Sequence, residues 1–534
     1  MGNSINNKSA KSNIMKNILL TTLFILFCAV ILVLSLRGIR GNPTSETLNE
    51  PYWKDEGPLE LSPDRGRYAL TYSIVEDKSF FYSLPVARFT TPDLGYSRDK
   101  YVSLFAPGVS FLVMPGYILG KYLNLAQVGT FAVISLFALA NTLLLRSIAI
   151  RLGAFSLAAT IAATLFIFAS PAFSYAVTLY QHHISTFLIL MSIYLLIRFK
   201  SLWSLLLIWF LAAASIPVDY PNLFLMFPIG LYALTRFIIV KKGSERLDIN
   251  LKLAGFATFI GTVLPILFFL WFNQMSYGNP LQYSGTVPGV RAIDDQGRPV
   301  APSQAGQENI EKFTNPQIQE KSAVRFFKSR NLLSGFKTHF ISLDRGVLFY
   351  TPVMLFGLIG IIYAYRRQMP MFALLVAILG VNILLYSMWG DPYGGWAFGS
   401  RYLIPSYAIL SIFVALLLTY WNKKVLFLIA FIIVAFYSIA VNTLGAVTTS
   451  AIPPKAEVLA LEKLSGIVQR YTYQRNWGSL LSGHSKSFVY QTYLSKYLSA
   501  LQFYQILTIS ICLVLGIIIF YFAFTSWRKG EENV

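Results

Sequence analysis

The sequence predicts an all-α, polytopic membrane protein with about 12 transmembrane helices and a long first outer loop that carries interfacial helices. Of the 534 residues, 55% are hydrophobic and 13% are charged, whereas a soluble protein of this size carries about 25% charged residues. Apolar runs of roughly 20 residues recur along the chain, and each is long enough to cross about 30 Å of hydrocarbon as a helix. The sequence between them shows neither a soluble domain nor a short-period repeat.

The first apolar run, from about Asn17 to Leu36, follows three lysines. It is too long for a signal-peptide core and lacks a clear cleavage site, so it predicts a retained first helix. The two cysteines, Cys28 and Cys512, both lie in apolar runs. Their placement offers neither a disulfide framework nor a metal-binding spacing.

The net charge of +20 is explained by the tendency of Lys and Arg to collect in cytoplasmic loops, so no nucleic-acid partner is predicted. That tendency also decides the role of the run 103–121. If this run crossed the membrane, most basic loops would lie outside. If it lies on the outer surface as an interfacial or re-entrant segment, all of them lie inside, together with both termini. We therefore predict spans at 17–37, 126–146, 154–178, 183–199, 202–217, 220–240, 252–273, 347–365, 370–388, 402–420, 424–446 and 503–525.

This topology divides the chain into alternating membrane and outer segments in the cytoplasmic (inner) membrane. Residue types that do chemistry gather on the outer side, so the active face is predicted to lie outside. The segments are the first helix with its cytoplasmic terminus (1–37), an outer loop with interfacial helices (38–125), helices 2–7 (126–273), an outer loop able to act as a lid (274–346), helices 8–11 (347–446), an outer segment (447–502), and the last helix with its tail (503–534).

The stretch "SPDRGRYALTYSIVEDKSF" (62–80) is typical of a short helix in the first outer loop. Ser62 and Pro63 suit its first positions, and Tyr68, Tyr72 and Val75 share one face. We predict an amphipathic helix lying on the membrane, with Asp64 at its start. The alternative is that Asp64 only complements the helix dipole.

Two further outer helix ends carry ionisable residues. "YQHH" ends at His183, and because adjacent residues cannot share one helix face, at most one His is expected to face a site; the alternative is an interfacial polar cap. "MWGDPYGGWAFGSRYLIP" supplies Asp391, Trp396 and Arg401. A charged Arg entering an apolar helix needs an anionic partner, and phosphate matches its geometry. The outer turn containing Asp219 and Tyr220 is another candidate.

The order of these motifs on this topology resembles the C-type glycosyltransferase superfamily (GT-C), which includes protein O-mannosyltransferases and lipid A aminoarabinose transferases. "DRGRYA" (64–69) is similar to an Asp-Glu-x-Arg-Tyr-Ala string, "SLFAPG" (103–108) to a Ser-Lys-Tyr-Pro-Pro-Gly-like segment, and "WGDPYGGWAFGSRY" to a late Trp-Gly-Gly…Gly-x-Arg-Tyr string. The resemblance runs from the first helix to about residue 420. The chain departs from the family at Arg65, where a second acid is common, and at Leu104, where Lys is common.

The resemblance implies an inverting transfer of a hexose or pentose from a polyprenyl-monophosphate donor to a hydroxyl of a lipid, glycan or protein acceptor. Asp64 would be the general base. The cations at the donor phosphate would be Arg401 first, then Arg67 and Lys100. The implied substrate-binding residues are Tyr68, His183, Trp396, Asp391, Asp219 and Tyr220. No cofactor or metal is predicted as required, and a divalent metal stays open.

Two other classes remain as alternatives. A secondary transporter would use the outer acids, His and Arg as a relay or gate, although such proteins usually show inverted repeats. An oligosaccharide ligase or polymerase would work on the same face with a pyrophosphate-linked donor.

Overall fold

The structure is a computed structural model that describes residues 2–242, 247–300 and 326–531. The helices are α1 Gly2–Ser35, α2 Pro51–Lys54, α3 Ser62–Val75, α4 Leu84–Thr90, α5 Gly108–Tyr122, α6 Ala126–Arg151, α7 Ser156–Phe168, α8 Ala172–Ala176, α9 His182–Arg198, α10 Leu202–Ser215, α11 Asn222–Leu234, α12 Leu253–Ala257, α13 Val263–Tyr277, α14 Leu332–Phe340, α15 Val347–Tyr350, α16 Leu355–Arg366, α17 Phe372–Ser387, α18 Ile404–Tyr420, α19 Val425–Val447, α20 Lys455–Ser465, α21 Gln474–Leu481 and α22 Ala500–Glu531. The strands are β1 Leu94–Ser97, β2 Lys100–Ser103, β3 Ile238–Lys242, β4 Leu247–Leu251, β5 Gly289–Val290, β6 Ala292–Ile293 and β7 Pro299–Val300.

The chain is a multi-pass membrane protein built from apolar helices. Within the described ranges, five helices are long and apolar enough to cross a membrane: 126–151, 253–277, 401–420, 425–447 and 500–526. Shorter apolar helices lie at 19–35, 156–168, 182–198, 202–215, 222–234, 352–366 and 372–387. Every predicted span overlaps one of these helices, and the total of 12 crossings stays a prediction.

The run 103–121 forms α5, which belongs to neither group of membrane-type helices. α5 packs along α6 and against α3. The contact with α6 is close because both helices have glycine there: a Cβ on Gly116 would come within 2.3 Å of the Gly129 carbonyl oxygen. α5 therefore packs both on a long membrane-type helix, α6, and on the segment that carries α3.

The described residues are mostly helical, as predicted, and also form three small antiparallel sheets that were not predicted from the sequence. One sheet has the strand order β2-β1-β5 and pairs Gly95 with Gly289, so it joins the segments 38–125 and 274–346, both of which are predicted to lie outside. Another is the β3-β4 hairpin. The predicted span 220–240 is therefore too long, because α11 ends at Leu234 and a β-branched run follows as strand β3.

Two other helix predictions need correction. The span 154–178 is interrupted: α7 ends at Phe168 and α8 begins at Ala172, with Pro171 between them, which has no N–H for the helix ladder. The segment 62–80 does form a helix over Ser62–Val75, but Leu61 rather than Ser62 takes the N-cap position. This helix is not amphipathic on a surface, since most of its side chains are buried under α4, α5 and their neighbours.

Candidate active site

Asp64 lies in the first turn of α3 and is buried, with 1% of its surface exposed. Its Oδ1 accepts a hydrogen bond from the Leu179 backbone N–H at 3.2 Å, and its Oδ2 has no partner within the described chain. Burial raises the pKa of Asp64 to about 7, against the opposing effect of Arg67 and Arg37. A carboxyl group poised near neutral pH can act as a proton acceptor.

Arg67 lies one turn further along α3 and is also buried. Its Nη2 donates to Oε1 of Gln181 at 2.6 Å, and its Nη1 donates to the Pro63 carbonyl at 3.1 Å. Its guanidinium carbon is 5.4 Å from the centre of the Tyr180 ring. The Nε of Arg67 makes no hydrogen bond to any described residue, so one donor remains free in the interior.

Arg401 reaches the same ring from the start of the 401–420 helix. Its guanidinium carbon is 4.8 Å from the centre of the Tyr180 ring and 5.4 Å from that of Tyr402. Its Nε and Nη1 are buried without a hydrogen-bond partner among the described residues. Burying a charge without a paired anion is costly, so a cluster with two such guanidinium groups suits an anionic ligand.

Asp219 joins this cluster through Gln181. The Gln181 Nε2 donates to Oδ2 of Asp219 at 3.2 Å. Burial raises the pKa of Asp219 to about 6, and the Gln181 hydrogen bond and Arg67 act in the opposite direction. A continuous network of side-chain hydrogen bonds therefore connects Arg67 to Asp219 through Gln181.

Tyr220, next to Asp219, connects this network to the segment 274–346. Its hydroxyl lies 2.7 Å from the Ser284 Oγ and accepts a hydrogen bond from the Ser284 N–H at 3.1 Å. The loop that was predicted to act as a lid is therefore tied to the residue next to Asp219. Its residues 301–325 lie outside the described chain.

The structure distinguishes the two histidines, and the one it brings to the cluster is His182 rather than the predicted His183. The His182 ring stacks on Tyr180 with centres 5.8 Å apart, and its Nε2 has no partner in the described chain. His183 points away: its Nε2 is 2.8 Å from the Ala172 carbonyl oxygen, and its own carbonyl accepts from Asn141. The sequence could not separate them, because His182 opens α9 and either residue could have faced the outer loops.

The other predicted site residues lie apart from the cluster. Asp391 accepts the backbone N–H groups of Tyr393 and Gly395, so it shapes the turn before Arg401. The Trp396 indole donates to the Glu457 carboxylate on α20 at 2.9 Å. These contacts hold the turn that leads into Arg401.

Tyr68 and Lys100 are also separate from Asp64. The Tyr68 ring is fully buried against Tyr117 of α5, with ring centres 5.7 Å apart, so it packs in the core rather than against an open site. Lys100 is exposed at the start of β2, and its Nζ lies 4.2 Å from the centre of the Phe81 ring. Neither placement supports the predicted roles, which were substrate binding for Tyr68 and donor-phosphate binding for Lys100.

Sequence reasoning missed a buried ion pair beside Asp64. Arg37 Nη1 lies 2.9 Å from Oε2 of Glu60, and both residues influence the pKa of Asp64. The available signal was Arg37 at the end of the first apolar run and Glu60 one helical turn before Asp64. The described residues hold no group of three or more His, Cys, Asp or Glu side chains that fits a metal ion, and the cations beside Asp64 do not suit one either.

No protein-family model matches the chain, and no curated protein matches its sequence. Solved structures with a distantly similar fold include ArnT from Cupriavidus metallidurans bound to undecaprenyl phosphate, at 12% identity and a TM-score of 0.44, covering 96% of this chain and 79% of that one. They also include the Archaeoglobus fulgidus oligosaccharyltransferase in complex with Zn and sulfate, at 16% identity and a TM-score of 0.46, covering 83% of this chain and 56% of that one. This chain thus spans little more than half the length of the oligosaccharyltransferase, and likeness at this level concerns the arrangement of helices alone.

Proposed function

We propose that the chain is an inverting GT-C-type glycosyltransferase that moves a sugar from a polyprenyl-monophosphate donor to an acceptor hydroxyl at the outer face of the cytoplasmic membrane. One observation carries this proposal: the free Oδ2 of buried Asp64 lies in a cluster with the unpartnered N–H groups of two buried arginines, Arg67 and Arg401. Such a cluster offers a proton acceptor and anion-binding donors at once. The motif order in the sequence supports the same class.

In this mechanism the acceptor oxygen attacks the anomeric carbon of the donor sugar. Oδ2 of Asp64 takes the proton of the acceptor hydroxyl, a step that contributes roughly 10²–10⁴-fold to the rate. The bond between the anomeric carbon and the phosphate oxygen breaks, and its electron pair leaves with the polyprenyl phosphate. Attack opposite the leaving group inverts the anomeric centre.

The two arginines would hold the leaving phosphate. Arg401 keeps two N–H directions free and Arg67 keeps one, and guanidinium groups bind phosphate through paired charge-assisted hydrogen bonds. Their positive charge stabilises the phosphate most strongly in the transition state, where the phosphate gains negative charge. The cluster lies where α9 and the 401–420 helix begin, so the polyprenyl tail would pass between apolar helices into the bilayer.

Donor turnover tests this proposal. The full-length protein in lipid nanodiscs would receive a panel of polyprenyl-monophosphate hexoses and pentoses with a membrane extract as acceptor, and released polyprenyl phosphate would be measured. We expect release by the wild type, and at least a 10²-fold lower rate for Asp64→Asn with donor binding retained. Asp55→Asn, an exposed acid in the same outer loop, is the matched control. Equal rates for wild type and Asp64→Asn would remove the base assignment.

The same preparation separates the two alternatives. Release from pyrophosphate-linked glycans, and from none of the monophosphate donors, would identify an oligosaccharide ligase or polymerase. Counterflow of a solute into liposomes without consumption of any lipid-linked sugar would identify a transporter.

A further inference from the structure

A surface cavity of about 350 Å³ opens beside α3 in the segment 38–125, and Asp64 is not among the residues that line it. It combines aromatic rings, hydroxyl groups and charges of both signs. Its lining is Asp77, Ser79, Phe81, Tyr82, Ser83, Asp99, Lys100 and Tyr101. None of these residues takes part in the cluster around Asp64.

The floor of the cavity is fixed by two buried tyrosines. The Tyr82 hydroxyl donates to the Gly66 carbonyl at 3.0 Å, and the Tyr101 hydroxyl donates to the Gly297 carbonyl at 2.8 Å. Both hydroxyls are already engaged within the protein, so the two tyrosines contribute mainly their rings to the cavity. The Tyr82 hydrogen bond also connects the floor of the cavity to α3, within one helical turn of Asp64.

The rim is exposed and holds polar groups that are free to bind. Asp77, Ser83, Asp99 and Lys100 are all exposed. Neither the Asp99 carboxylate nor the Ser83 hydroxyl makes a hydrogen bond within the described ranges, whereas Lys100 lies over the Phe81 ring. A ligand can therefore reach two carboxylates, an ammonium group and a hydroxyl from one side.

The two-residue turn between β1 and β2 presents part of this rim. Arg98 and Asp99 have positive φ angles of 55° and 57°, as a tight hairpin requires and as glycine or asparagine would adopt more easily. The Arg98 side chain lies against Gly278, where an added Cβ would meet its Cδ at 2.8 Å. This contact anchors the turn, so Asp99 and Lys100 have defined positions at the cavity mouth.

The chemistry of the lining selects a neutral, hydroxyl-rich ligand. Two carboxylates against one ammonium group disfavour a phosphate, and the ammonium group disfavours a metal ion. Sugar hydroxyls can donate to Asp77 and Asp99 and accept from Lys100, while an apolar sugar face packs on the rings. The cavity thus differs in charge from the arginine-rich cluster that suits the donor.

We propose that this cavity binds the saccharide portion of the acceptor, an inference that rests on the proposed transferase function. Asp64 and Asp77 are separated by 13 residues of the α3 region, so their Cα atoms lie roughly 20 Å apart at 1.5 Å per residue. An acceptor that reaches from Asp64 to the Asp77 side of the cavity is several sugars long. Lys100 then serves the acceptor and not the donor phosphate.

Kinetics test this assignment with Asp99→Asn, Phe81→Ala and Lys100→Ala, none of which touches the Asp64 cluster. Turnover in nanodiscs would be titrated with the glycolipid fraction of the source membrane. We expect the acceptor KM to rise about ten-fold or more, with the donor KM and the release of polyprenyl phosphate to water unchanged. Asp55→Asn with Tyr52→Ala, an exposed pair elsewhere in the loop, should leave every parameter unchanged. An unchanged acceptor KM in the three cavity variants would overturn the proposal.

Direct binding distinguishes failure of this proposal from failure of the transferase function. Fluorescently labelled oligosaccharides released from the source envelope would be passed over the immobilised full-length protein. Retention by the wild type that falls about ten-fold in Asp99→Asn and in Phe81→Ala supports the saccharide site. Equal retention by all forms, or none by the wild type, overturns it even where donor turnover is found. Variant-sensitive retention without turnover from any donor would instead refute the transferase function and the acceptor role with it.

Discussion

The carboxyl group of Asp64 lies where its charge is unfavourable. Burial raises its pKa from an ordinary 3.8 to about 7, so the folded state holds a proton that the unfolded state releases. The group's contribution to folding is therefore fully present below about pH 3.8 and is lost as the pH rises through 7. At 1.36 kcal/mol per pKa unit, a shift of about three units sets an upper bound of ~4 kcal/mol.

We expect Asp64→Asn to stabilise the protein at pH 8, because the amide needs no desolvation of a charge. The melting temperature in nanodiscs, followed by Trp fluorescence, should exceed that of the wild type by a few degrees at pH 8. The difference should shrink at pH 5, where the wild-type carboxyl group is protonated when folded. A difference independent of pH would show that the Asp64 charge is not the cause.

The same pKa predicts how activity depends on pH. A general base works only in its ionised form, so kcat/KM should fall as the pH is lowered through about 7. The rate of polyprenyl phosphate release would be measured from pH 5 to pH 9 with subsaturating donor. A rate that stays level down to pH 5 would contradict Asp64 as the base with a raised pKa.

Substitution of the two histidines by alanine should have clearly different effects on turnover and on melting temperature. His182 has a free Nε2 beside Tyr180 and Arg401, so we expect His182→Ala to lower turnover at least ten-fold with little change in melting temperature. His183 is bonded to Ala172 and faces Asn141, so its loss leaves buried groups unpaired at about 1–3 kcal/mol. The main effect of His183→Ala should therefore be a lower melting temperature. The reverse pattern would restore His183 as the site residue.

At the scale of elements, one buried ion pair joins three separate parts of the chain. Arg37, just after α1, donates to the Gly445 carbonyl of α19 at 2.8 Å and contacts Glu60 ahead of α3. Glu60 also accepts the Ser450 N–H at 2.9 Å. Burial alone would raise the pKa of Glu60, but Arg37 and Lys486 together hold that pKa below its usual value.

We expect Arg37→Gln and Glu60→Gln each to destabilise the fold by about 3–5 kcal/mol, because each leaves a buried charge without its partner. The double variant should lose less than the sum, which thermal unfolding of all four forms would measure as a double-mutant cycle. Since the pKa of Glu60 is lowered, its contribution is present above about pH 4.5 and is lost as the pH falls below that value. Additive losses would show that the pair does not act as a unit.

Apolar run length located the helices well because that signal is local. Run length alone did not detect the interruption after Phe168, although Ser170 and Pro171 signal it in the sequence, nor the turn from α11 into a strand. The pairing of Gly95 with Gly289 joins residues far apart in sequence, and no local pattern encodes it. For the same reason Asp64 and Arg401 could be proposed individually from the sequence, while their meeting around Tyr180, and the choice of His182, required the structure.

For the whole molecule, the strand pairing between β1 and β5 constrains the topology. Strands in one sheet must lie on the same side of the membrane, so an even number of crossings must separate Gly95 from Gly289. Six of the predicted spans lie between them, and counting α5 as a further span would make the number odd. The sheet therefore supports the positive-inside argument that α5 does not cross.

This topology can be tested with single cysteines in a background where Cys28 and Cys512 are replaced by alanine. Asp295, Lys200 and Lys423 are exposed positions in three different connections, and each would carry the cysteine in turn. With a membrane-impermeant maleimide on intact cells, we expect Asp295→Cys to be labelled, and Lys200→Cys and Lys423→Cys to be labelled only after lysis. If α5 crossed the membrane, Asp295 would lie opposite Asp55, and Asp55→Cys and Asp295→Cys would label from opposite sides. Labelling of both from outside places Asp64 and its arginines at the outer face, where the proposed donor and acceptor would have to meet.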